Sequence, residues 1–119
     1  MSKMQRTKGA GFERKVASMA RAHGIPAQRM APMQTQKFLP GFKRHADVEV
    51  GVWKVECKHH QRVSVVSYDD WTDSPGRVLV YQHNGRKPKV VMDYDEWLDL
   101  VRFNLELENQ ASAVRYPHG

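Results

Sequence analysis

Cysteine is all but missing from this 119-residue chain: Cys57 stands alone. No disulfide can therefore close within one copy, and a reducing compartment, the cytoplasm, is the expected location. No apolar run approaches the roughly 20 residues that cross a bilayer. The basic, polar start MSKMQRTKGAG has no apolar stretch behind it, so neither a membrane span nor a secretory leader is expected. Repeats and low-complexity stretches are absent as well. Cysteine or histidine pairs at C-x2-C or H-x3-H spacing do not occur, which makes His45, Cys57, His59 and His60 a poor zinc set. Negative charge is the scarcer sign, with 13 acidic against 19 basic residues and a formal charge of +6. That excess favours a polyanionic partner through phosphate contacts and counterion release.

What is present reads as one domain spanning 1–119. Hydrophobic residues at 40% and charged residues at 27% are the balance of a globular chain, and the length allows one core rather than two. Bases crowd the start (Lys3, Arg6, Lys8, Arg14, Lys15) and the following loop (Arg29, Lys37, Lys43, Arg44). Acids gather at 69–73 and 93–108. Such segregation suggests one basic face and one neutral or acidic face.

Along the chain, residues 1–8 read as a basic arm. Residues 9–23 read as a helix with Phe12, Val16, Met19 and Ala20 at helical spacing, ended by Gly24 and Pro26. Glu13 lies at the edge of that stripe. Residues 30–45 are a basic loop, with a short strand near 28–30. Two hairpins follow. The first is 46-ADVEVGVWKVECKHH-60, whose two-residue turn Gly51-Val52 sets Val50 opposite Trp53 and suits type II′. The second joins 77-RVLVYQH-83 to 88-PKVVM-92 through Asn84-Gly85. Between them, Tyr68 and Trp71 could pin one helical turn onto the sheet. Asp93 and Glu96 resemble a capping box opening a helix over about 94–107, and 108–119 reads as a frayed tail. The fold class is mixed α/β (α+β) with the order α-β-β-(short helix)-β-β-α.

In the first hairpin Val48, Val50, Trp53, Val55 and Cys57 form one apolar face. Asp47, Glu49, Lys54, Glu56 and Lys58 share the other, with Asp47 opposite Glu56. Two carboxylates this close raise each other's pKa unless lysines, water or a divalent cation offset them. The pattern also suits a solvated face of interleaved charges, and Glu13 could close the site if its helix packs nearby. Cys57 faces the core and lacks a base partner, so it does not read as a nucleophile.

The order GAGFERK … HADVEV … VECK resembles the PD-(D/E)XK nuclease superfamily, and within it the small Holliday-junction resolvases of archaea and phages, over roughly 8–103. One departure is Ala46 where the family usually has proline; another is a longer, lysine-rich loop carrying Thr35. The resemblance implies a restriction-endonuclease-like core and a Mg²⁺-dependent endodeoxyribonuclease, with Mn²⁺ as a substitute. Glu13, Asp47, Glu56 and Lys58 would be catalytic. Asp47, Glu56, Glu13 and the Cys57 carbonyl would hold the metal, and Lys58 would orient water or steady the transition state. Lys8, Arg14, Arg29, Thr35, Lys37, Lys43, Arg44, His59, His60 and Arg62 would contact DNA. It also implies hydrolysis of branched DNA during recombination, and small size with the resemblance suggests a phage protein working in host cytoplasm.

The last helix bears Trp97, Leu98, Leu100, Val101, Phe103, Leu105 and Leu107 on more than one stripe. Either it sinks into the core or it joins two copies, and a homodimer through this helix or a sheet edge suits a four-way junction cut at symmetric phosphates. Two other readings stay open: a nicking, flap or general recombination nuclease of the same superfamily, and a basic DNA-binding module that has lost catalysis.

Overall fold

The computed structural model describes residues 3–30, 46–60 and 63–115, with side chains described over 9–30, 46–59 and 63–111. Helix α1 runs Lys3–Ala22, strand β1 Ala27–Arg29, β2 Val48–Val50 and β3 Trp53–His60. A 3-10 turn at Val65–Tyr68 leads into the short helix α2, Asp69–Thr72; β4 (Arg77–His83), β5 (Lys89–Val91) and helix α3 (Tyr94–Arg115) follow. The result is a mixed α+β fold with one five-stranded sheet in the order β1-β2-β3-β4-β5, antiparallel throughout except for the parallel β3–β4 pair.

Three boundaries differ from those expected. Residues 3–8 belong to α1 and not to a separate arm, because MQRTK contains helix formers and no breaker, and Gly9 and Gly11 are tolerated inside the helix. The short strand expected near 28–30 is Ala27–Arg29, and since it pairs with β2 it adds a third sheet strand ahead of the short helix that the expected element order did not count. α3 continues to Arg115 rather than fraying after 107, because no proline or glycine occurs before Pro117.

The end of α1 follows from one glycine. Gly24 sits at φ +79, donates to the Arg21 carbonyl at 2.9 Å, and the next amide, Ile25, returns to Ala20 at 3.0 Å. This is the αL C-cap that releases the chain toward β1. In the β2–β3 turn, Gly51 has φ +57, and among the described residues only glycines have positive φ. The left-handed position is thus the first of the turn alone, which is the type II′ pattern expected. The register is Val48–Val55, Glu49–Lys54 and Val50–Trp53, as expected.

α1 covers one sheet face. Phe12, Val16 and Ala17 bury against Val48, Val55 and Val78, with Val50, Trp53 and Cys57 packed at the margin. Met19, assigned to the stripe from its spacing, is instead 43% exposed, and Ala17 takes the buried place. The opposite face is closed by the helical turn that carries Tyr68 and Trp71. Trp71 is fully buried, donates its indole N–H to the Val78 carbonyl at 2.9 Å, and lies under the Arg77 guanidinium at 5.4 Å. Buried Leu79 shares this face with Glu56, its register partner in β3.

At the start of α3, Asp93 caps the Glu96 amide at 3.3 Å. The Glu96 carboxylate does not turn back to complete the box. It accepts the Gly76 amide at 3.2 and 3.1 Å, tying α3 to the turn before β4. Among the described residues no helix is long and apolar enough to cross a membrane.

Candidate active site

The β2–β3 ladder ends at Val48–Val55, and the chain upstream peels away. The Asp47 amide donates to the Val55 carbonyl at 2.9 Å instead of stepping forward to face Glu56. Its side chain then takes over: Asp47 Oδ2 accepts the Cys57 amide at 2.9 Å, with the Glu56 carboxyl among the groups close enough to act on it. Burial, and secondarily the negative charge of Glu13, push Asp47 from 3.8 up to about 6, against the lowering effect of the Cys57 amide and the Lys58 ammonium.

Glu56 is 9% exposed, inside the sheet on the Leu79 face. Lys58 follows two residues along the same strand and so on the same face. The two lysines of this strand behave differently. Lys54 pairs with Glu49 at 2.7 Å, whereas no described residue forms an ion pair or hydrogen bond with the Lys58 ammonium. Glu13 projects from α1 and meets Arg29 of β1 at 3.2 Å. The structure thus brings Glu13, Glu56 and Lys58 each within electrostatic reach of Asp47, at the upstream end of β2. Among the described residues no three His, Cys, Asp or Glu side chains close around a single point. The four are neighbours rather than a finished cage, with Glu13 drawn aside by Arg29 and one Asp47 oxygen engaged by backbone.

The donor set is all carboxylate oxygen, which suits a hard divalent cation such as Mg²⁺ or Mn²⁺ and not zinc. Cys57 is no competitor: its thiol packs against the core, and burial together with the Asp47 charge pushes its pKa well above the ordinary thiol value.

Among the expected DNA contacts, Arg14 is exposed on α1, and Arg29, also exposed, is held by Glu13. His59 lies on the α1 face with its ring 5.1 Å from Phe12, across the sheet from Glu56 and Lys58. Lys8 and His60 fall in α1 and β3, but their side chains lie outside the described residues, as do Thr35, Lys37, Lys43, Arg44 and Arg62. One residue of the site face has no signal in the sequence. Tyr81 of β4 is the parallel register partner of Lys58, half-buried, with its ring 5.2 Å from that of His83. Only the parallel β3–β4 pairing reveals it, and neither strand states that pairing locally. A shallow depression of about 380 Å³, lined by Arg21, Pro26, Ala27, Gln28, Glu49 and Gly51, lies at the turn end of β2 and includes neither Asp47 nor Glu56.

No family model matches this chain, and no curated protein or solved structure matches it either.

Proposed function

We propose that this chain is a metal-dependent endonuclease of the PD-(D/E)XK type, hydrolysing phosphodiester bonds in branched DNA as a pair of identical subunits. The observation that carries the reading is that Glu13, Glu56 and Lys58 all act on Asp47 at the end of one hairpin, the lysine without an ion pair among the described residues. A half-buried and a buried carboxyl this close together cost stability unless a cation or a ligand offsets them. The sheet order, with a helix on one face and a parallel strand beside the Glu-x-Lys strand, is compatible with a restriction-endonuclease-like core.

On this reading Asp47 and Glu56 would hold the cation, with Glu13 and the Cys57 carbonyl as further candidate ligands. Bound Mg²⁺ would lower the pKa of a water and offset charge on the scissile phosphate. Lys58 contributes a positive charge fixed by its strand, aimed at the phosphate oxygens where charge grows. Arg14, exposed and basic, contacts backbone phosphate away from the reacting bond. Two subunits present two such sites, as two symmetric phosphates of a four-way junction require.

The test is a cleavage assay with Mg²⁺ or EDTA on a labelled four-way junction and on linear duplex of the same sequence. It compares the natural chain with Asp47→Asn and Glu56→Gln. Paired, symmetric, metal-dependent cuts confined to the junction are expected, and the two variants should lose cleavage while binding DNA as well or better, since each removes a negative charge. Cuts in both substrates would move the chain to a general, nicking or flap nuclease. Tight binding without any cleavage would make it a DNA-binding module.

A further inference from the structure

We propose that the β4–β5 hairpin is a phosphate-binding ledge, which holds the backbone of a nucleic-acid strand where it leaves the carboxylate site. From Arg77 to Met92 the chain contains no Asp or Glu, and its turn reads Asn84-Gly85-Arg86-Lys87-Pro88. Gly85 sits at φ +77 and the Arg86 amide donates to the His83 carbonyl at 3.0 Å, which is the pattern of a type II turn. Gln82 fastens this turn to the body. Its amide nitrogen donates to the Arg86 carbonyl at 2.6 Å, and its amide oxygen accepts from the Lys15 ammonium of α1 at 3.1 Å. Arg86 and Lys87 are exposed and extend from a backbone held in this way. Among the described residues no carboxylate pairs with Lys15, Arg86, Lys87 or Lys89.

The strand register carries this charge to the site. Lys58 of β3 pairs with Tyr81 of β4, and Tyr81 pairs with Lys89 of β5. Paired residues point to one face, so Lys58, Tyr81 and Lys89 form a single row on the face of Glu56. With about 4.8 Å between strands the row spans roughly 10 Å. A duplex carries one negative charge per about 1.7 Å of its axis, so a row of that width faces several phosphates. The phenol between the two ammonium groups adds a hydrogen-bond donor for a phosphate oxygen. The turn starts just past the His60–His83 pair, two residues beyond Lys58, which puts Arg86 and Lys87 about 7 Å or more past the row. Lysine on a short sheet edge also discourages pairing with another chain, but that role needs neither cations at the turn nor the hold of Gln82 on it. An anionic lipid surface is a poorer match, because it calls for large apolar side chains beside the cations and the turn has none.

This inference rests on the nucleic-acid partner of the proposed function and not on its chemistry, so binding is read in EDTA. The test is the salt dependence of binding to a labelled four-way junction and to a short labelled duplex. The natural chain is compared with Arg86→Gln/Lys87→Gln/Lys89→Gln and with a control on α3, Arg102→Gln. The triple variant should lower the slope of log affinity against log salt by about 2–3, while keeping its thermal transition because all three side chains are exposed. The control should leave the slope unchanged. A second measurement needs no variant: bound DNA should protect Lys87 and Lys89 of the natural chain from acetic anhydride, and not Lys54, which is paired with Glu49. A folded triple variant with the natural slope overturns the inference, as does equal acetylation of Lys87 and Lys89 with and without DNA. Binding to phosphatidylserine vesicles in place of DNA would assign the cations to a lipid surface and overturns it too. A chain that never cuts but shows the lowered slope keeps the ledge and not the nuclease. A chain that cuts, with a triple variant of natural slope, keeps the nuclease and not the ledge.

Discussion

Asp47 is more costly to the fold at neutral pH than in acid, and the sign follows from its raised pKa. Between 3.8 and about 6 the native chain binds more protons at this position than the unfolded chain does. Stability contributed by the protonated group is therefore complete below 3.8 and lost as pH rises to about 6. Two pKa units correspond to at most about 3 kcal/mol. Asp47→Asn should raise the melting temperature by several degrees at pH 7.5 and change it little at pH 4, as paired thermal melts would show. Equal gains at both pH values would mean that the carboxyl is not desolvated. Cys57 gives a second measure at the same scale. Its raised pKa and core packing predict slow alkylation by iodoacetamide at pH 8, at least tenfold slower than in denaturant.

At the level of elements, the ends are where particular residues decide. Gly11 lies inside α1, exposed, with no positive φ and with open space for 4 Å around the point where a Cβ would stand. Gly11→Ala should stabilise by about 0.5–1 kcal/mol, measured by denaturant unfolding. Glu96→Ala should remove both the Gly76 bond and an acid from the first turn of α3. A loss of about 1–2 kcal/mol, or early loss of α3 helicity, is expected in urea melts followed by circular dichroism. The β2–β3 hairpin was legible in its turn and in the pairs from Val48–Val55 to Val50–Trp53, because glycine punctuates a strict apolar-polar alternation; the expected Asp47–Glu56 pair was not met, since the Asp47 amide bonds to the Val55 carbonyl instead. The extension of β1 against β2, the parallel β3–β4 pairing and the outer turns of α1 and α3 were not legible. No local signal states which strand lies beside which, and good helix formers such as 108-ENQASAVR-115 look the same frayed or wound.

For the whole molecule, the site was legible as a set of residue types and not as a geometry. The alternation of the first hairpin puts Asp47, Glu56 and Lys58 on one face, and the family resemblance adds Glu13 and names the four as a set. The Arg29 ion pair that draws Glu13 aside, the backbone bond that engages Asp47, and Tyr81 beside Lys58 exist only once four elements are assembled. The basic excess is likewise a property of the whole chain. On the proposed function, Arg14→Ala should weaken DNA binding uniformly across sequences and lower the slope of log affinity against log salt by about 1. An unchanged slope would remove Arg14 from the phosphate contacts.

The Asp47 carboxylate occupies the place of a backbone carbonyl as acceptor for the Cys57 amide. The last rung of the β2–β3 ladder is therefore made by a group that can be protonated or drawn toward a cation. Amide hydrogen exchange at Cys57 thus becomes a spectator of the site: any occupant that reorients Asp47 loosens this one rung while its neighbours at Val55 and Trp53 stay protected.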